Sequence, residues 1–423
     1  MKKILILLFI TLPTLLFAYE HIGGARLDLN IEAPNIYGTI AEAKTEDRFS
    51  LWYEGRVNDL INISAEGGVV YEAYAGVAVD LNQELSYLGV EGEFYPDIRA
   101  LNIFGYTGIF DYRLGRQHYS DASGMIISQP IDALDAGIRL GPGVLNASVG
   151  YSGLVHKKAS DIAMTKSDFD GSSRLIEGLS YTYPELLGSF MNLTAGVTAQ
   201  QDLINDSDIA LGSEKMDSLY LQLGMDGFLL PFIMYDSSFI YQIGTYGDAR
   251  SNGYLTDFQL FLVPGGSNFY LSLKALMTSG ESWENRSDYY GQNAAGDQNQ
   301  FMPISTAGSQ GYVLELDLGN ITAFELLISL SKSKKFAFEL STTTLMRTVD
   351  GPVSSTMIID NGVSDLFIGQ EGLMAFKFRP VSDFGASIKL GALYPGESIT
   401  LNEYLEPYLP VIPKIGFDLS FSF

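Results

Sequence analysis

Apolar and polar residues alternate with a period of two along most of this chain, in segments of about ten residues. The closing segment is the clearest case: Ile415, Phe417, Leu419, Phe421 and Phe423 are apolar, while Gly416, Asp418, Ser420 and Ser422 are small or polar. A strand sends successive side chains to opposite faces, so such a segment has one greasy face and one wet face. An exposed strand of this kind at a free terminus is an aggregation hazard in water. It is stable when the greasy face meets lipid and both edges pair inside a closed barrel.

The same alternation predicts strands near 25–32, 48–57, 60–73, 84–94, 100–113, 132–140, 144–153, 174–183 and 190–200. It predicts others near 216–225, 232–243, 253–263, 269–278, 321–331, 335–347, 364–378, 384–393 and 412–423. The expected fold class is all-β, a transmembrane antiparallel β-barrel of about 18 strands, with 16 as the alternative count. The ambiguity lies in 311–331, where Tyr312–Leu318 and Ile321–Leu330 compete for one strand position.

Connections alternate in length, which predicts short periplasmic turns and long extracellular loops. Short ones fall at Asn58-Asp59, Pro96–Arg99, Gly141–Gly143, Pro184–Gly188, Gly227–Pro231, Pro264–Asn268, Ser331–Lys334 and Pro380–Asp383. Long ones span 33–47, 74–83, 114–131, 154–173, 201–215, 279–320 and 348–363. The segment 279–310, rich in Gly, Asn, Gln and Asp, folds into the lumen as a constriction or stays a disordered surface loop. The second expectation is the stronger on composition.

Parity then separates lumen from lipid. With Phe49, Leu51 and Tyr53 outward, Glu54 and Arg56 turn inward, and Glu66, Glu72, Glu91 and Glu93 follow. The same rule turns Asp111, Arg113, Asp135, Arg139, Glu339, Arg347, Lys377, Arg379 and Lys389 inward. A cation on the lipid face near the bilayer midplane costs about 2–4 kcal/mol, so this sorting is what a wet, charged lumen requires. Acids gather on the second to fourth strands and bases on the fifteenth to seventeenth. Two readings stay open: opposed charges form a selective constriction, or the side chains pair with one another and pack the lumen. Aromatic residues near strand ends, among them Tyr53, Phe94, Tyr112, Phe232, Phe378 and Phe423, match interfacial girdles.

The amino terminus reads as a secretory signal: Met1-Lys2-Lys3, an apolar run from Ile4 to Phe17, and Ala18 at the cut. The expected organisation is a signal peptide over 1–18 and one barrel domain over 19–423. The run is too short for a spanning helix and Pro13 interrupts it. The formal charge is −24, and removing the signal with its two lysines makes it more acidic. Nucleic acid is therefore not an expected partner. Solvated outer loops account for the acidity. The absence of cysteine excludes disulfides and thiolate metal sites.

Catalysis finds little support. The histidines are His21, His118 and His156, and a dyad of His118 or His156 with Ser120 or Ser123 is the one conceivable arrangement. No nucleophile elbow, zinc spacing or phosphate loop appears, so no catalytic residue, cofactor or metal is expected. Asp202, Asp206 and Asp208 are read as solvated loop charge rather than a calcium site.

The terminal Phe-Asp-Leu-Ser-Phe-Ser-Phe resembles the insertion signal of bacterial outer-membrane barrels, carried here by Phe417, Leu419, Phe421 and Phe423. The resemblance implies assembly by the barrel-assembly machinery. Tyr112–Gln117 with Pro130–Leu134, and Leu318–Ile321 with Ser331–Lys335, look similar to segments of the alginate-export-like porins. That likeness implies 18 strands and a passive pore. The alginate-type lumen is strongly basic and this one is mixed, so a polysaccharide substrate is not carried over. The expected function is an outer-membrane porin of a Gram-negative-type bacterium, passing small hydrophilic solutes through a charged lumen. The alternative is a closed-lumen barrel whose long loops act as adhesin or ligand receptor. Outer-membrane lipids are expected partners, and a homo-oligomer is left open.

Overall fold

Eighteen long strands follow one another around a single antiparallel sheet that closes on itself. In the computed structural model, residues 20–37, 40–79, 85–152, 174–203, 215–247, 249–264, 268–282, 297–305, 308–355, 364–399 and 411–423 are described. The signal-peptide expectation, all of 154–173, most of 201–215, residues 283–296 of the 279–310 segment, and His156, Asp206 and Asp208 lie outside them.

The first nine strands are β1 (Glu20–Tyr37), β2 (Ile40–Asn58), β3 (Ile61–Val79), β4 (Leu85–Tyr106), β5 (Phe110–Ser120), β6 (Ser128–Leu140), β7 (Gly143–Tyr151), β8 (Arg174–Tyr183) and β9 (Asn192–Asp202). The rest are β10 (Met216–Leu230), β11 (Ile233–Tyr246), β12 (Ala249–Leu262), β13 (Phe269–Thr278), β14 (Ile321–Ser333), β15 (Phe336–Arg347), β16 (Phe367–Val381), β17 (Phe384–Pro395) and β18 (Ile412–Ser422). Two further short segments, Leu186–Ser189 and Asp297–Gln298, lie outside this count.

Closure is made by β1 and β18, from Arg26 opposite Ser422 to Ala33 opposite Ile415. Below that ladder Ala25 N–H donates to Phe423 O at 2.7 Å, and Phe423 N–H returns to Ala25 O at 3.0 Å. Every edge over this span is paired, which is what permits a sheet to sit in a medium with no hydrogen-bonding solvent. The outward face follows the alternation: Leu219, Leu221 and Leu223 on β10, and Leu114, Leu134 and Val149 on β5 to β7, are exposed apolar side chains. Their polar neighbours Ser218, Gln222 and Gln129 are buried inside.

Four connections differ from the sequence expectation. No turn forms at Pro96–Arg99; β4 runs through Pro96 to Tyr106, and the turn comes at 107–109. Pro96 is accommodated because it lies above the β4–β5 ladder, which runs only from Leu101 to Tyr106. A residue without an N–H costs no ladder bond when its nitrogen points past the end of a ladder. The expected loop 114–131 likewise shrinks to 121–127, since β5 continues to Ser120. Finally, 33–47 and 74–83 are mostly strand, because the first four strands rise well above the rest. At the long-loop end β11 and β12 are joined tightly, Tyr246 pairing with Ala249, and so are β1 and β2, Tyr37 pairing with Ile40, so the short/long rhythm is broken more than once.

The contested region resolves in favour of Ile321–Ser333 as the strand. Residues 312–318 enter the barrel instead.

Candidate functional site: a lumen divided into two arcs

The chain leaving β13 does not stay outside. Ser279 and Asn320 pinch the base of the insert, Asn320 N–H donating to Ser279 O at 2.9 Å. Asn320 stands at φ +56°, a left-handed conformation that asparagine tolerates better than most. Its side-chain amide donates to Val349 O and Pro352 O at 3.1 and 3.2 Å. From this base, Phe301, Ile304, Val313, Leu314, Leu316 and Leu318 pack inside the barrel as an apolar core. The described part of the insert is therefore a lumen element, not a disordered surface loop.

One arc of the wall, β7 to β12, receives the insert with neutral polar groups. Tyr220 on β10 donates its hydroxyl to Met302 O at 2.7 Å, and Met302 N–H donates to Gln242 Oε1 on β11 at 2.8 Å. The Tyr220 ring meets Phe301 edge-on, with centroids 6.2 Å apart. The 121–127 loop adds a second wedge. Asp121 Oδ1 accepts from Ile126 N–H at 3.0 Å and Ile127 N–H at 2.8 Å, and Ile126 O accepts from Ile304 N–H at 2.8 Å. At the rim Arg174 and Asp202 form a buried ion pair at 2.6 Å. Asp202 thus ends β9 as a structural partner rather than a solvated loop charge. Buried backbone groups need partners, and this arc supplies them, leaving a cavity of about 150 Å³ bordered by Ser148, Ser180 and Gln222.

The other arc, β15 to β18 with β1 and β2, is charged and open. It borders a cavity of about 730 Å³ whose lining includes Asp28, Lys44, Arg48, Glu315, Lys377 and Asp418. Its charges are paired, Lys44 with Glu72 at 2.9 Å and Lys389 with Asp418 at 3.1 Å on the next strand, and Arg48 with Asp97 at 2.9 Å two strands away. Lys377 pairs with Glu339 at 2.7 Å. The expected opposition of an acidic arc to a basic arc is thus largely neutralised locally, since Lys44 and Arg48 sit among the acids of β2 to β4.

The remaining residues expected in the lumen spread along its height. Arg56 reaches Asp59 at 2.6 Å beside the β2–β3 turn, and Glu54, Glu91 and Glu93 are exposed. Arg113 lies over the Phe104 ring at 5.4 Å and directly opposite Asp135 in register. Arg139 lies over Tyr106 at 5.8 Å, and Asp111 stands at the start of β5. Arg347 is buried at the top of β15 and donates to Asp365 O at 3.3 Å. These residues do not converge on one ring.

Four groups that sequence reasoning missed do converge. Glu371 on β16 accepts from three consecutive insert amides, Tyr312 at 2.6 Å, Val313 at 3.1 Å and Leu314 at 2.8 Å. Lys414 on β18 bonds Glu315 at 2.5 Å and Glu32 at 2.9 Å. Burial, with Glu32, Asp418 and Glu315 nearby, pushes the Tyr312 phenol up, so it stays neutral. Burial also raises the Asp317 carboxyl, against the Ser354 hydroxyl bond that lowers it. Parity would have marked Lys414 as inward, two residues before Gly416. Nothing in the sequence marked its partner in the insert.

The His118 form of the conceivable dyad is not assembled: His118 Nε2 bonds Ser128 Oγ at 3.0 Å, while the Ser120 and Ser123 hydroxyls donate to Asp121. Among the described residues no group of three metal-ligating side chains comes together.

No protein-family model matches the chain, and no curated protein matches it in sequence. Solved structures do match in shape. The crystal structure of Pseudomonas aeruginosa OccK7 (OpdD) is similar with a TM-score of 0.61 at 10% identity, over 96% of this chain and 99% of that one. Acinetobacter baumannii OccAB2 gives 0.58 at 11% identity, over 96% and 98%. The outer membrane protein opdK of Pseudomonas aeruginosa gives 0.51 at 10% identity, over 95% and 99%. At such identity the likeness is one of fold, and it spans the whole barrel.

Proposed function

We propose that this chain is an outer-membrane channel for the passive passage of small hydrophilic solutes, and that the charged arc is their path. The observation that carries the reading is the contrast across one lumen: an arc packed against the insert faces a charged cavity of about 730 Å³. A barrel built only to present loops has no need of ionisable groups along an unfilled interior. The exposed apolar outer face fits a lipid environment, and the shape shared with an outer membrane protein supports that location. The activity is passage, not catalysis. On this reading Glu54, Arg56, Glu91, Glu93, Asp111, Arg113, Asp135, Arg139, Glu339, Lys377 and Lys389 line the way, with Arg347 supporting the rim.

Purified, refolded protein in a planar bilayer tests this: discrete conductance steps are expected, and their absence would remove the channel reading. Kinship with the alginate-export-like group is proposed for architecture alone, since the mixed lumen charge suits small solutes better than a long polyanion. We infer further that Phe417, Leu419, Phe421 and Phe423 are read by the barrel-assembly machinery. Their support is alternate placement along the closing strand, where Phe421 packs on Phe384 with centroids 5.0 Å apart. Deleting Phe423 is expected to lower the folded barrel recovered in outer membranes while leaving the conductance of assembled molecules unchanged. Undiminished recovery would remove the signal reading.

A further inference from the structure

On the inner face of β17 and β18, Lys389 stands opposite Gly416 and Gly391 opposite Lys414. The four make a square with ammonium groups on one diagonal and bare backbone on the other. The Tyr312 ring lies in that square, its centroid 4.9 Å from Lys414 Nζ and 5.9 Å from Lys389 Nζ. Both glycines are required by the ring. A β-carbon on Gly391 would come within 2.6 Å of Tyr312 Cδ1, and one on Gly416 would overlap the hydroxyl.

Two anchors fix the ring from the insert side. Glu371 holds the amides of Tyr312 to Leu314, and Glu315, at φ +48°, turns back to bond Lys414. The Tyr312 hydroxyl is buried with no hydrogen-bond partner among the described residues. Its place is therefore set by shape and by the two cations rather than by its own polar group. Glu315 borders the charged cavity, so the seated tyrosine stands at the edge of the open path.

We propose that Tyr312, seated in this lysine–glycine square, sets the bore of the path and its charge preference. This rests on the channel reading above. Seated, the ring covers Lys389, which pairs with Asp418, and Lys414, which is held by Glu32 and Glu315. Unseated, it widens the path and bares two ammonium groups to it, which favours anions.

The test is single-channel conductance with reversal potentials under a salt gradient, on the full refolded protein and on Tyr312→Ala, Gly391→Val and Glu315→Gln. Tyr312→Ala is expected to raise conductance about two-fold or more and to move the reversal potential toward anion permeation. Gly391→Val keeps the tyrosine but evicts the ring, and should do the same. Glu315→Gln should move the reversal potential in that direction with little change of conductance. Heat-modifiable gel mobility identifies the folded barrels; if Tyr312→Ala does not fold, the other two variants carry the test. A conducting parent whose folded variants keep its conductance and reversal potential overturns the proposal and leaves the channel reading intact. A silent parent overturns the channel reading; conduction appearing only in the ring-evicted variants would then identify Tyr312 as the residue that shuts the path, and silence in all of them would overturn both.

Discussion

Two ion pairs of nearly equal length sit on the two arcs of the lumen and do different work. Arg174–Asp202, at 2.6 Å on the packed arc, leaves its side chains 1% and 0% exposed. Lys377–Glu339, at 2.7 Å beside the open cavity, leaves them 49% and 27% exposed. Breaking a buried pair strands a charge that water cannot reach, whereas an exposed charge is solvated at once. The same chemistry is thus structural on one arc and adjustable on the other. Charge alone does not mark the path; charge with solvent beside it does.

The comparison can be broken most sharply at the buried pair. Arg174→Met should cost about 3–5 kcal/mol, because Asp202 is left without its cation, and urea unfolding in detergent micelles reads the loss. A cost near that of a surface substitution would mean that this arc is wetter than its burial implies. Tyr220→Phe removes the hydroxyl from Met302 O and should cost about 1–2 kcal/mol in the same assay, with faster proteolysis of the insert. Lys377→Met on the open arc should cost less than about 1 kcal/mol, yet still shift the reversal potential toward cations. The smallest effect, of opposite sign, belongs to Asp236→Asn. Asp236 faces Asp226 directly across β10 and β11, and relieving that repulsion should stabilise the barrel by about 0.2–1 kcal/mol. Destabilisation there would point to a cation shared by the two carboxylates.

The division into arcs was half legible in the sequence. Alternation located most strands and sorted inward from outward side chains, because lipid on one face and water on the other impose opposite hydropathy at successive positions. It failed where that contrast is missing. The upper parts of β1 and β2, with Glu32, Thr45, Glu46 and Asp47, carry polar groups on both faces and so read as loops. Pro96 read as a turn because local chemistry says nothing of where the ladder with the next strand ends. The insert was the larger omission. Ile304, Val313, Leu314, Leu316 and Leu318 announce burial, but their irregular backbone gives no period, and Tyr312–Leu318 imitates a strand. Glu371 and Lys414 were legible as inward residues; their partners, some 60 and 100 positions away, were not.

The seam between β1 and β18 has a consequence in time rather than in space. It joins Arg26 to Ser422, so nearly the whole chain must be present before the sheet can close. Each other hairpin forms from neighbours in sequence, but the final ladder pays the loop-closure entropy of the entire molecule at once. Until it forms, β1 and β18 each offer a long unpaired edge, the state most exposed to association with other chains. Closure should therefore be the slow step in the life of this barrel, and a Pro substitution at Leu419 should retard assembly far more than one in β4 above its ladder with β5.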